Sequence, residues 1–365
     1  MIYAADTLGI YIHVPFCLRK CPYCDFYSCE NRLHERDAYV QAVCRNIGYY
    51  GSQMNFCRKV DTIYFGGGTP SLLSPENILE MLCCIDKYFI VKSPEITMEV
   101  NPATVTIERL LGYRKAGVNR LSIGLQDLHN ESLTSLGRLH TAEQGIKTVM
   151  SAVKSGFENI SCDIMIGTKG QTEELLYSTL KHIVSLPIKH ISAYMLKIEE
   201  GTLYARQNMQ DLVPDGDAVA ELYLNMVSYL NENGFSQYEI SNFAKEGFES
   251  RHNCRYWKLS PYIGIGPSAH SFVDKRFYVP SELDSFIKEE YQTTLTEDEY
   301  PDLETEHIML GLRLSEGIPI EWLNIRQQKI TERFVKGGLM ERFSDRIRFT
   351  PHGFLVSNAV LCDIL

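Results

Sequence analysis

The chain has no surplus of positive charge, no long apolar run and only 2 tryptophans. Lys and Arg total 36 against 46 Asp and Glu, for a formal net charge of −10. That balance argues against a broad grip on nucleic acid, and leaves local basic patches and peripheral membrane contact open. No apolar stretch reaches the ~18 residues of a membrane-spanning helix. The opening residues, MIYAADTLGIYIHV, lack the basic n-region and long h-region of a secretory leader, so a cytoplasmic location is expected. Low-complexity tracts are lacking too. Cysteine, by contrast, is plentiful, with 11 in 365 residues. In a reducing compartment such thiols serve as metal ligands rather than as disulfides.

Apolar residues make up 44% of the chain, enough for a sizeable core, and the length suits one large domain plus a smaller one. Strand patterns fall at Gly9–Val14, Val60–Phe65, Ile96–Val100, Arg120–Leu125, Ile160–Ile166 and His190–Leu196. Amphipathic helical stretches lie between them, several opened by a capping residue such as Ser74 before Pro75. This alternation predicts a parallel sheet, as an open doubly wound sheet or a partial (β/α) barrel. After Leu196 the rhythm fades. An aromatic-rich stretch, poor in helical periodicity, runs through FSQYEISNFAKEGFESRHNCRYWKLSPYIGIGPSAHSF. Past Tyr300 a helix-helix-hairpin-helix pattern predicts a small winged-helix-like α+β unit. The expected division is 1–235, 236–295 and 296–365.

Cys17, Cys21 and Cys24 are spaced CxxxCxxC directly after the first strand. Thiolates suit iron–sulfur clusters or zinc, and three of them leave one position of a metal centre open. Two other readings stand beside the cluster. One is a structural zinc with Cys29 or His13 as fourth ligand; the other is three inert, buried thiols. Cys83 and Cys84, adjacent in an apolar helical stretch, read as packed thiols. Gly66-Gly67-Gly68-Thr69-Pro70 follows the second strand, where glycines permit positive φ or close backbone approach. Glu99 ends the third strand, Gln126 the fourth, and Arg138 follows in GRLH. Asp163 sits inside an apolar strand and needs a partner there. Taken singly, each of these reads as a structural residue.

Together, YIHVPFCLRKCPYCDF, IYFGGGTPS, EVNP, RLSIGLQ, GRLH, GQT and QYEISNFAKEGFESRHNCRYW resemble the radical S-adenosylmethionine (SAM) superfamily. Within it they resemble the oxygen-independent coproporphyrinogen III oxidase family, from about Gly9 to Phe272. The resemblance implies a six-stranded, three-quarter (β/α)6 barrel and a [4Fe–4S] cluster on Cys17, Cys21 and Cys24. It also implies SAM chelating the open iron and cleaved to methionine and a 5′-deoxyadenosyl radical. It assigns SAM contacts to Gly67, Gly68, Thr69, Glu99, Gln126, Arg138 and Asp163, with Tyr11 packed near the cluster and SAM. One departure is Thr168-Lys169, where the family usually has Leu-Pro; it bears on the adenine side.

Two features resemble the haem-chaperone branch of that family. Phe26 stands where the oxidases carry a further cysteine, and His252-Asn253-Cys254-Arg255-Tyr256 matches an HNxxY motif. The resemblance implies haem bound through His252, with Tyr256 beside it, and delivery to a haem-acceptor protein, with a separate electron donor. On residues alone His252 reads as a structural histidine satisfied by Asn253 or a carbonyl. Oxidative decarboxylation of coproporphyrinogen III, or radical chemistry on another substrate, is the alternative function. Anaerobic reconstitution separates cluster from zinc: the expected product contains iron and sulfide with broad visible absorbance, whereas zinc without that absorbance would establish the zinc site.

Overall fold

The structure is a computed structural model and describes residues 7–53, 59–273, 275–279, 282–288, 294–298 and 300–365. Parts of the connecting segment expected over 236–295, namely 274, 280–281 and 289–293, lie outside the described residues. Six parallel strands form the centre, in chain order: β1 (Thr7–Val14), β2 (Lys59–Gly67), β3 (Ile90–Val100), β4 (Arg120–Gln126), β5 (Asn159–Ile166) and β6 (His190–Met195). Five helices alternate with them: α1 (Arg36–Gln53), α2 (Pro75–Tyr88), α3 (Ile107–Ala116), α4 (Ala142–Lys154) and α5 (Glu173–Ser185).

The strand alternation explains the layers. Leu8, Ile10, Ile12 and Val14 of β1 are fully buried on the helix side, as are Ile63 and Phe65 of β2 and Leu121, Ile123 and Leu125 of β4. The intervening residues face the other way and are mostly polar. Thr62, Thr97, Arg120, Ser122, Ser161, His190 and Ser192 are all buried there. Helix starts follow local chemistry. Ser74 and Asn77 form a capping box with Pro75 in the first turn of α2, and Thr141 with Gln144 does the same for α4.

The sheet does not close. Among the described residues it has 12 strands, running from Leu295–Asp298 at one edge to Ser236–Gln237 at the other. Both edges of the central block are covered by the aromatic-rich stretch. Strand β7 (Asn242–Ala244) pairs antiparallel with β6, and β8 (Tyr262–Ile265) pairs parallel with β1. The stretch poor in helical periodicity nonetheless contains helix α7 (Arg251–Trp257), after α6 (Gly216–Glu232). Ser250 caps α7 by accepting from the Asn253 amide. The segment after Leu196, where the strand-helix rhythm fades, holds a one-turn helix at Leu203–Arg206.

The C-terminal residues build a second core around Leu312, Ile318, Met340, Ile347, Phe354 and Ile364. Helices at Leu303–Gly311, Ile325–Lys336 and Ser357–Ile364 pack on a three-stranded antiparallel sheet, the winged-helix-like arrangement. Among the described residues no helix is long and apolar enough to cross a membrane.

Helix α7 is fixed by a buried guanidinium. Arg255 Nε donates to Thr62 Oγ1 at 2.9 Å, Nη1 to the Pro261 carbonyl at 3.1 Å and Nη2 to Thr7 Oγ1 at 2.8 Å. It also pairs with Asp61. Removing one member of such a pair strands the other's charge. Arg255→Ala is therefore expected to destabilise the fold by about 3–5 kcal/mol, read from urea denaturation. In a double-mutant cycle, Asp61→Asn should recover part of that loss.

Candidate functional site

At the carboxyl ends of the parallel strands lies a cavity of about 550 Å³. That end is where open parallel sheets and barrels place their ligands. Cys17, Cys21 and Cys24 line it on one side. Gly67, Gly68, Thr69, Glu99, Gln126, Arg138 and Asp163 complete its wall. The residues expected at the cluster and at SAM therefore meet in one space, although they come from five strand ends.

The cysteine loop is held from several directions. Arg19 donates to the carbonyls of Gly137 and Arg138 at 2.7 and 3.3 Å, and Lys20 Nζ to the Phe26 carbonyl at 2.9 Å. His13 Nε2 reaches the Tyr27 carbonyl at 2.9 Å, and the Tyr204 amide donates to the Pro22 carbonyl at 2.9 Å. Cys17 Sγ lies 3.5 Å from Thr69 Oγ1, and Arg138 Nη1 donates to Cys21 Sγ at 3.7 Å. Burial pushes the Cys17 and Cys24 thiols up, so the thiolates need a cation to form. Among the described residues no three His, Cys, Asp or Glu groups converge as ligands for one metal ion. A cubane bonds each cysteine to a different iron. Three thiols on one wall of an open cavity fit that donor set and leave space beside them for a further ligand.

The glycine run serves the fold first. A Cβ on Gly68 would stand 2.8 Å from the Phe16 carbonyl oxygen and 2.9 Å from that of Val14. Gly67 has φ +106°, and a Cβ there would strike the His13 ring. The cavity wall at this point is consequently backbone. The Gly67 amide donates to Glu99 Oε2 at 3.1 Å, and Tyr64 donates its hydroxyl to Oε1 at 2.9 Å. Each Glu99 oxygen keeps a further lone pair for a ligand donor. Burial, then Asp163, pushes the Glu99 carboxyl up to about 7, against the pull of Tyr64, Gly67 and Arg120.

Asp163 has the partners its sequence position demanded: Ser122 Oγ at 2.9 Å and Ser161 Oγ at 3.3 Å both donate to it. Gln126 has φ +65°, unusual for a residue with a side chain, beside an irregularity between Gly124 and Gln126 in the β4–β5 pairing. Arg138 Nη2 donates to the Gly124 carbonyl at 2.8 Å, while its Nε is buried without a partner. An orphaned guanidinium donor beside the thiols suits an anionic ligand group.

Tyr11 stands behind this wall. Its ring lies 6.1 Å from that of Tyr64, and its hydroxyl meets His13 Nδ1 at 3.1 Å. Thr168 is buried, with its hydroxyl 3.3 Å from Ser132 Oγ, and Lys169 is exposed; neither lines the cavity. Of the cysteine pair, Cys84 packs against the core but Cys83 is exposed.

His252 requires a correction. It lies on α7, not in a loop, and its side chain is fully buried. Nδ1 meets Thr62 Oγ1 at 2.9 Å and Nε2 meets the Tyr256 hydroxyl at 2.9 Å. Arg255 Nε donates to the same Thr62 hydroxyl, so one oxygen joins the imidazole to the guanidinium. Burial and the Arg255 charge push the imidazole down to about 3. With both nitrogens engaged and no access, His252 does not fit an axial ligand here, and Tyr256 is its hydrogen-bond partner.

Sequence reasoning missed Tyr64, Tyr194 and Arg120. Tyr64 was signalled by inward alternation before the glycine run. Arg120, a cation opening an apolar strand, carried the same signal as Asp163.

A profile described as Radical SAM superfamily matches residues 11–183. Among curated proteins, the chain is 34% identical to the heme chaperone HemW of Escherichia coli (strain K12), covering 97% of each chain. It is 30% identical to HemW of Mycobacterium tuberculosis (strain ATCC 25618 / H37Rv), covering 99% of this chain and 95% of that one. Among solved structures, coproporphyrinogen III oxidase (HemN) from Escherichia coli superposes with a TM-score of 0.84 over 98% of this chain and 90% of that one. At 21% identity, that likeness speaks for the fold alone.

Raised by burial, Glu99 holds its proton longer in the native than in the unfolded state. Its contribution to stability is therefore present below about 4.5 and is lost as pH rises to about 7. Urea midpoints of the metal-free protein across that range should show the wild type losing stability relative to Glu99→Gln. Parallel curves would show that Glu99 titrates normally.

Proposed function

The chain belongs to the HemW family of radical SAM proteins, and from that premise we propose that it is a haem chaperone. In this reading it carries a [4Fe–4S] cluster and SAM, binds haem and passes it to an acceptor protein. Superfamily membership implies the cluster and SAM; haem follows from the name of its relatives. The observation that carries the reading is the single cavity in which three cysteines meet Glu99, Gln126, Arg138 and Asp163.

A cluster bound there supplies one electron at a time, received from a separate donor, and an iron with an open position. The chain's own residues have distinct tasks in this proposal. Cys17, Cys21 and Cys24 are the ligands, on a loop pinned by Arg19, Lys20 and His13. Arg138 offers its spare Nε–H to the SAM carboxylate. Gly67, Gly68 and Thr69 present backbone and hydroxyl to the amino group. Glu99, oriented by Tyr64 and Gly67, accepts from the ribose hydroxyls, with Gln126 and Asp163 completing the polar wall. Tyr11 supports Tyr64 from behind.

The test is transfer. The anaerobically reconstituted protein, loaded with haem, is mixed with apomyoglobin and followed by the Soret band. The expected result is saturable haem binding followed by transfer, with no decarboxylation of coproporphyrinogen III in the presence of SAM and reductant. Protoporphyrinogen formation would establish the oxidase alternative instead. Cys17→Ala, Cys21→Ala or Cys24→Ala should each abolish the cluster's visible absorbance.

A further inference from the structure

Both ring nitrogens of His252 are hydrogen-bonded inside the fold, whereas the cavity mouth offers open chemistry that matches haem. We propose that haem docks across this mouth, its macrocycle laid against Phe26 and its propionates turned toward Arg19 and Lys20. The inference rests on the haem-chaperone reading above.

Phe26 lines the cavity and leaves 67% of its surface exposed. A lone exposed phenylalanine means little, but this one sits on a fixed backbone. Its amide is directed at Cys24, its carbonyl accepts from Lys20 Nζ at 2.9 Å, and the next carbonyl, of Tyr27, faces His13 Nε2 at 2.9 Å. The Tyr27 hydroxyl in turn accepts from the Leu283 amide at 2.9 Å. The ring is therefore a preorganised platform, which lowers the ordering cost of binding a flat ligand.

The same mouth carries a second aromatic wall. Tyr194, 43% exposed, lines the cavity from the end of β6, with Leu196 beside it. A planar apolar macrocycle suits a space bounded by two rings and a leucine.

The charges set its orientation. Arg19 and Lys20 direct their side-chain donors at neutral carbonyls, and the neighbouring Glu30 carboxylate accepts from the Lys20 backbone amide at 2.7 Å rather than from either side chain. Lys197 differs, being paired with Glu199 at 2.6 Å. Asp25 and Glu199 also line the mouth, and Glu99 and Asp163 line the interior. Propionates pushed inward would meet those two interior carboxylates. Turned outward along the cysteine loop they meet the two cations. Such a site reads the ring and its carboxylates, not the iron.

Haem, metal-free protoporphyrin IX and its dimethyl ester are titrated into the wild type with and without the cluster. Phe26→Ser, Phe26→Leu, Phe26→Trp and Arg19→Gln/Lys20→Gln are titrated alongside. The expected result is metal-free protoporphyrin binding within a few-fold of haem. Phe26→Ser should weaken both about tenfold, Phe26→Leu should fall between, and Phe26→Trp should restore binding. The double Gln variant should weaken the diacid and leave the ester unchanged. Circular dichroism and, after reconstitution, cluster absorbance check that the loop is intact. If Phe26→Ser perturbs it, Phe26→Leu decides. Tight wild-type binding indifferent to every change at Phe26 would overturn this site and keep the chaperone reading. Absence of saturable binding to the wild type would overturn both.

Discussion

Six parallel strands that do not close leave two rows of unpaired main-chain groups, and everything else in this fold answers that constraint. On one side β8 lies parallel to β1; on the other β7 turns antiparallel against β6. Helix α7 lies in the chain between β7 and β8, and its buried Arg255 ties it to both the β2 strand and the start of β1. The segment that seals the sheet is thus also the one that carries His252 and Tyr256. Their mutual hydrogen bond and the Thr62 hydroxyl are part of the seal.

The inner face of the sheet is polar because it ends in a ligand-sized space rather than a packed core. Asp163 is satisfied by two serine hydroxyls and Glu99 by a tyrosine and a backbone amide. Arg138 keeps a buried Nε–H donor unmatched beside the cysteines. The site is thereby polarised: thiols and cations on the loop side, carboxyls on the strand side.

The βα alternation was legible because helix-facing residues such as Ile10, Ile12 and Val14 alternate with the inward ones, and the loops between them carry their caps. The site was legible for a related reason: its residues sit at the ends of those strands, so finding the strands locates the site. The closing segment was not. Tyr262–Ile265 finds its partner in β1, some 250 residues upstream, and no local pattern announces so distant a pairing. Burial of His252 was hidden for the same reason, since Thr62 supplies its partner from another strand. Gln126 carries a positive φ that its residue type does not advertise. Phe26 could be read as a departure from a pattern, but only the fold shows that its ring faces the mouth.

The pairing of β1 with β8 also bears on how the chain emerges from the ribosome. β1 is made first, yet it gains its second neighbour only when residue 265 has been synthesised. Until then β1, which leads into the loop of Cys17, Cys21 and Cys24, keeps one edge of its backbone unpaired. In nascent chains of this topology that edge waits for its partner through about two-thirds of translation.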